Sequence, residues 1–284
     1  MAALNVIMEK VLVQRESPFL YLSIRLLLAG SVLTAFNWFR GSFEKLDRWH
    51  WMQFIQVVIF QLYGSYLLNA LVLPNIPAAY VCLAYNLSPF ITAGMSYFFF
   101  NERITKSKGI GLICGFAGFT FMLDFSAIDH FTGTWVDFAG LMIAVLGNCY
   151  GFIVMKKIIR RKSCNVMSLI GPAMMGAGAL CAITTFLIKN SYPVQINNMS
   201  FFLSYVIAIT LFGTIVAYGL YVYLLNFYSA TFISFCTFLY VIFGAFFGWA
   251  LLGETISWNF IISILCIAVG LYIFYREEQG ATQA

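Results

Sequence analysis

The chain has 284 residues, of which 62% are hydrophobic and 10% charged, and its mean hydropathy is +0.87. A soluble domain carries about 25% charged residues, so there is too little polar surface here to clothe a water-soluble globule, and the apolar excess must face lipid. The net charge of +5 is no nucleic-acid footprint, because the basic residues flank apolar runs, where they set membrane topology.

The first apolar stretch, residues 2–13, is broken only by Asn5, Glu9 and Lys10. It falls short of the roughly 20 residues that a bilayer span needs. No basic segment precedes it, so it is a poor signal peptide. Two readings stay open: a shortened first span, or a start that lies further upstream. Nine clear spans follow, at residues 19–39, 51–73, 78–100, 109–125, 138–155, 166–188, 201–225, 230–252 and 259–275. With the short first segment they predict an all-α integral membrane protein of about ten transmembrane helices.

Arg40, Lys45, Arg48, Arg103, Lys106, Lys108, Arg276 and the basic loop at residues 156–162 fall on one side if the spans alternate. Asp124, Asp129, Asp137 and Glu254 fall on the other, with Arg15 and Lys189 as basic exceptions. The basic side is therefore expected to be cytoplasmic, with both termini there, in an inner or plasma membrane. Trp49, Trp51, Trp135 and Trp258 suit an interfacial belt. The seven cysteines show no C-x-x-C spacing and read as small core residues, without a metal or redox role.

Shifting the chain by 152 residues sets Tyr66 on Tyr218, Ala78 on Ala230, Glu102 on Glu254, Ile104 on Ile256, Cys114 on Cys266 and Gly118 on Gly270. Nearer the start of each half, a shift of 147 sets Met8 on Met155 and Lys10 on Lys157. An ordered set across four helices predicts an internal repeat. The first repeat would span 1–126 with its short first helix, the second 127–276, and a polar tail 277–284. Five spans per half is an odd number, so the halves would be inverted. Inverted repeats recur in secondary transporters, with the solute site near the midplane.

Ser17–Arg25 (S-P-F-L-Y-L-S-I-R) resembles the start of the second helix in the EamA family of the drug/metabolite transporter superfamily. The stretch from Ala78 to Ile104, with Pro89 and a terminal Glu-Arg, resembles that family's fourth helix, and G-x-x-x-G-F-A-G at 111–118 its Gly-rich fifth. The chain departs from the family in its short first helix, and in having Val241 and Pro172 where the first half has Pro89 and Arg25. The resemblance implies ten helices around a central cavity lined by the third, fourth, eighth and ninth. It implies no particular substrate.

Arg25 is the most informative residue. A charge inside a span costs at least about 2.5–3.5 kcal/mol and should face a cavity or a partner. It reads either as an anchor for a carboxylate-bearing solute or as a structural arginine bonded to neighbouring helices. Gln56, Tyr63 and Tyr66 are near helical spacing. Tyr85 and Asn86, Tyr218 and Tyr221, and Ser234, Thr237 and Tyr240 could face them. Such an aromatic, polar-lined cavity would hold an organic solute by stacking, cation–π contact and a few hydrogen bonds; interhelical bonding is the plainer reading of each residue. Pro89 is expected to free a carbonyl near Tyr85 and Asn86. Glu102 and Glu254 are expected to complement the dipole of the helix that follows each, and Glu9 is the other carboxylate plausibly at membrane depth.

The function expected is secondary transport of a small organic metabolite, by alternating access, with no cofactor. An amino acid or S-adenosylmethionine would suit the aromatic spans, the latter on the family resemblance. Membrane lipid is the other partner expected, and nucleic acid is not. A membrane-embedded enzyme is disfavoured, since only His50 and His130 are present and no H-E-x-x-H or G-x-S-x-G occurs. ATP-driven pumping by this chain is excluded by the lack of G-x-x-x-x-G-K-[ST]. A transport-inactive scaffold remains the other alternative.

Overall fold

The computed structural model describes residues 17–39, 47–76, 84–102, 105–122, 134–161, 166–187, 199–236 and 258–283, with Glu9, Leu12 and Val81. Thr237, Tyr240, Val241 and Glu254, and with them Cys82, Arg103, Asp124, Asp129 and Lys189, lie outside the described residues, as does most of the first apolar stretch. No strand occurs among those described. The helices are α1 (Pro18–Phe39), α2 (Arg48–Val72), α3 (Ser88–Phe100), α4 (Lys106–Met122), α5 (Trp135–Arg161), α6 (Val166–Leu187), α7 (Met199–Leu225), α8 (Ala230–Phe235) and α9 (Trp258–Gln283). Five of them (α1, α2, α5, α6 from Ser168, and α7) are long and apolar enough to cross a bilayer. Leu28, Val32, Phe36, Ile143, Ile183 and Leu220 are exposed along these apolar helices, as lipid-facing side chains should be.

Local chemistry sets the helix ends. Pro18 opens α1, where its missing N–H costs nothing. Asp47 caps α2 by accepting from the His50 backbone N–H at 2.9 Å. That bond, with a second from the His50 ring, holds the exposed Asp47 carboxyl below its ordinary range. The fourth predicted span does not run through Pro89 as one kinked helix. The chain turns at Asn86–Leu87 and restarts, with Pro89 in the first turn of α3. The Tyr85 carbonyl accepts instead from Ser88 Oγ at 2.5 Å. Asn101 ends α3 in the left-handed region at φ 55°, which Asn tolerates. One further expectation changes. Residues 156–161 are not loop but the end of α5, where cations complement the helix dipole. The tail after residue 276 continues α9 to Gln283.

Two features were not anticipated. Both α2 and α7 widen to π-helix at their middles, over Val57–Ser65 and Ile209–Val216. These segments begin 152 residues apart, the same shift that relates Tyr66 to Tyr218. Such widened turns often mark functional positions.

The helix contacts are close because glycines face backbone. In α1 and α6, a Cβ on Gly30 would lie 2.8 Å from the Gly171 carbonyl oxygen, and one on Gly171 would lie 2.7 Å from the Thr34 nitrogen. Gly178 meets Leu27 in the same way, so the two helices cross antiparallel. In α4 and α9, Gly111 faces Gly270 and Phe274, while Gly270 faces Gly111 and Gly115, again antiparallel. Small residues let membrane helices approach at this range. A third glycine pair, Gly147 and Gly151 of α5, receives the π segment of α2. Gly147 lies against the Phe60 carbonyl, and Gly151 leaves room for the Gln61 side chain. Gly171→Ala and Gly270→Ala should each destabilise by about 1–3 kcal/mol, the usual cost of overpacking. Gly94→Ala, which meets nothing within 4 Å, should be neutral or slightly stabilising; thermal unfolding in detergent measures all three.

Candidate functional site

Arg25 sits on α1 with 4% of its surface exposed, and Glu9 with 6%; no other Asp, Glu, Lys or Arg is buried among the described residues. Arg25 Nε donates to Thr214 Oγ1 on α7 at 2.9 Å, and Nη1 donates to the Tyr21 hydroxyl at 2.7 Å. Glu9 Oε2 stands 3.5 Å from Nη1. The guanidinium also lies over the Tyr66 ring of α2, 5.3 Å from its centroid. Hydrogen bonds to a charged group are each worth about 1.5–3 kcal/mol. Two of them, with the ion pair, are enough to offset an insertion cost of about 2.5–3.5 kcal/mol. The resting arrangement is therefore self-sufficient, and Arg25 does not need a ligand in order to be tolerated.

The polar face continues along α7. Tyr218 is one turn beyond Thr214, 8% exposed; its hydroxyl faces that of Tyr66 but closes no hydrogen bond among the described residues. Tyr221 and Arg25 also lie nearby. Tyr221 stacks on Phe152 of α5, with ring centroids 4.2 Å apart and planes 23° apart. Tyr85 reaches Ser65 on α2 and senses both Tyr66 and Glu9. Ser65 in turn donates to the Ala144 carbonyl at 2.7 Å.

The residues singled out from sequence thus divide. Arg25, Tyr66, Tyr85, Tyr218 and Tyr221 share one neighbourhood. Gln56 accepts from the Tyr150 hydroxyl at 3.0 Å, Tyr63 pairs with Thr184 at 2.8 Å, and Ser234 accepts from Thr92 at 3.1 Å. These three act as bonds between helices. Asn86 is buried in the turn before α3, and Thr237 and Tyr240 lie outside the described residues. Sequence reasoning left Thr214 and Glu9 out of the site. Thr214 was legible as sharing a helix face with Tyr218 and Tyr221. Glu9 was visible as a carboxylate at membrane depth, but nothing in the sequence paired it with Arg25.

At the basic end, the last turns of α5 hold three other helix ends. Lys156 Nζ donates to the carbonyls of Leu225 at 2.5 Å and Tyr228 at 2.7 Å, just where α7 stops. Arg160 pairs with Glu102 and lies over Phe100, at the end of α3. Arg161 reaches Asp47 at 3.5 Å and lies over Trp49, at the start of α2. Glu102 therefore pairs across to α5, and Thr105 opens α4 in its place, accepting from the Lys108 N–H. A small cleft opens beside Glu102, lined by Ser96, Lys108 and Thr231. The Arg25 cluster itself is closed in.

The helical bundle, its lipid-facing surface and its buried polar centre define a multi-pass membrane protein. The profile of the EamA-like transporter family matches residues 1–124 and 134–276; the chain belongs to that family. It is 28% identical over 280 residues to an S-adenosylmethionine/S-adenosylhomocysteine transporter of Chlamydia trachomatis, covering 95% of this chain and 84% of that one. The Chlamydia muridarum transporter of the same description is also 28% identical, over 95% and 87% of the two chains. An uncharacterised transporter of Synechocystis is 25% identical over 93% of this chain and 83% of its own. A solved crystal structure matches with a TM-score of 0.76 at 16% identity, over 99% and 98% of the chains, which establishes fold alone. These relatives are transporters and not enzymes, which sets the membrane-enzyme alternative aside.

Thr214→Val should remove the Nε acceptor and cost about 1–3 kcal/mol of stability, since it strands a buried charged donor. Tyr63→Phe, at a half-buried neutral pair, should cost about 1 kcal/mol or less. Unfolding in detergent with both variants in parallel checks the difference.

Proposed function

We propose that the protein moves an adenosyl amino acid of the S-adenosylmethionine or S-adenosylhomocysteine type across the inner or plasma membrane by alternating access. In this reading Arg25 anchors the solute carboxylate, and Tyr66, Tyr85, Tyr218 and Tyr221 stack on and hydrogen-bond its ring system. One observation carries it: the buried Tyr218 hydroxyl, set against that of Tyr66, closes no hydrogen bond among the described residues, yet lies beside a guanidinium that is itself held in place. Buried polar groups in native proteins are seldom left unpaired, and a solute would satisfy this one. The relatives named above favour the adenosyl class.

The architecture proposed is ten helices in two inverted repeats, 1–126 and 127–276, followed by residues 277–284, with both termini cytoplasmic. Three observations support it: the two family matches, the matching π segments of α2 and α7, and the antiparallel crossings of α1 with α6 and of α4 with α9. A two-fold axis in the membrane plane requires antiparallel contact between equivalent helices. The α5 contacts to α2, α3 and α7 act as a latch that closes the basic side in this state. Gln56, Tyr63, Asn86, Ser234, Thr237 and Tyr240 are proposed to line the pathway as the latch opens.

Reconstitution in liposomes with a labelled metabolite panel tests this reading. Saturable uptake of an adenosyl amino acid is expected, falling about tenfold or more in Arg25→Lys, which keeps the charge but loses the planar fork. A smaller loss is expected in Tyr218→Phe. Absence of uptake or exchange across the panel by a folded protein would contradict transport and favour the scaffold.

A further inference from the structure

We propose that Glu9 and Arg25 together form a receptor for a zwitterionic amino-acid headgroup, with Glu9 the residue that selects for the α-ammonium. The inference rests on the substrate reading above and adds a specificity-determining residue to it. Taken alone, Arg25 would make an anion site. It is not alone, because Glu9 is the one other buried charged side chain among the described residues, and it stands 3.5 Å away. The pair is electrically neutral as a unit. A purely anionic or purely cationic headgroup would leave net charge in a low-dielectric interior, at a cost that a neutral zwitterion avoids.

Among the described residues each member of the closed pair keeps one polar atom unspent. Arg25 spends Nε on Thr214 and Nη1 on Tyr21, while no hydrogen bond leaves Nη2 among the described residues. Glu9 approaches through Oε2, and Oε1 accepts none from them. The ion pair, at 3.5 Å, is looser than a close charge-assisted bond of about 2.7–2.9 Å. As the closed cluster opens to solute, a ligand carboxylate on Nη2 and an ammonium on Oε1 would complete a ring of four alternating charges. Tyr21 and Thr214 keep the guanidinium from turning away, so the fork is oriented before the ligand arrives. The Tyr218 hydroxyl, set between Tyr66 and Arg25 with no hydrogen bond closed among the described residues, is placed to meet the rest of the solute.

The test measures equilibrium binding to the purified full-length protein with three probes: S-adenosylhomocysteine, its analogue without the α-amino group, and its analogue without the α-carboxylate. Wild type should bind the intact headgroup about tenfold or more tighter than either analogue, as expected for loss of one charge-assisted bond. In Glu9→Gln the preference should shift to the amine-free acid, which then binds as tightly as the parent or more so, because Arg25 has lost its internal counter-charge. Equal weakening of all three probes would mean that Glu9 only supports the fold. An unchanged ranking would mean that it does not meet the ligand. Either result overturns the inference and leaves the substrate class standing. If Glu9→Gln does not fold, the wild-type series decides: absence of a preference for the amine-bearing headgroup overturns it. A folded wild type that binds none of the three overturns the substrate class, and the inference with it.

Discussion

A guanidinium held among apolar helices has to find its counter-charge and its acceptors inside the protein, since lipid supplies neither. That constraint organises the centre of this molecule. Arg25 draws on α1 through Tyr21, on α7 through Thr214 and on α2 through the face of Tyr66, and it draws in Glu9 from the first apolar stretch. Elements from opposite ends of the chain are joined at one group. The burial of Glu9 follows from the same need, because neither charge would be tolerable here alone.

Close approach of backbones is the second requirement, and glycine meets it. The α1–α6 and α4–α9 crossings leave no room for a Cβ at Gly171 or Gly270. Between them, the widened turns of α2 and α7 alter the register of the helices that present Tyr66 and Tyr218. The π segment of α2 presses its Phe60 carbonyl and Gln61 side chain onto the Gly147–Gly151 face of α5. The same α5 ends at Lys156, Arg160 and Arg161, which grip three helix ends on the basic side. One helix therefore contacts the polar centre at its middle and three other helix ends at its basic end.

Much of this was legible in the sequence. Apolar runs of bilayer length marked the five helices long and apolar enough to cross a membrane, and Arg25, Tyr66 and Tyr218 stood out because polar groups in such runs need partners. The family resemblance was equally readable in S-P-F-L-Y-L-S-I-R and the Gly-rich stretch at 111–118. Other features were hidden for physical reasons. A π segment has no composition signature, since Val57–Ser65 carries the residue types of any apolar span. Pro89 has the same look whether it kinks a helix or opens one; the buried Ser88, bonded to the Tyr85 carbonyl, is what distinguishes the two. Residues 156–161 read as loop because they are charged, yet charge at a helix C-terminus stabilises helix. The pairing of Glu9 with Arg25 depended on folding, because sixteen residues of sequence separation say nothing about a shared site.

The central claim is that the Arg25 cluster holds solute and is more than a structural staple. The most direct measurement is a structure of the full-length protein determined with S-adenosylhomocysteine bound. The account predicts ligand density bounded by Arg25, Tyr66 and Tyr218, with the headgroup on the guanidinium. Density elsewhere, with Arg25 bonded as before to Tyr21, Thr214 and Glu9 and no solute beside it, would contradict the account.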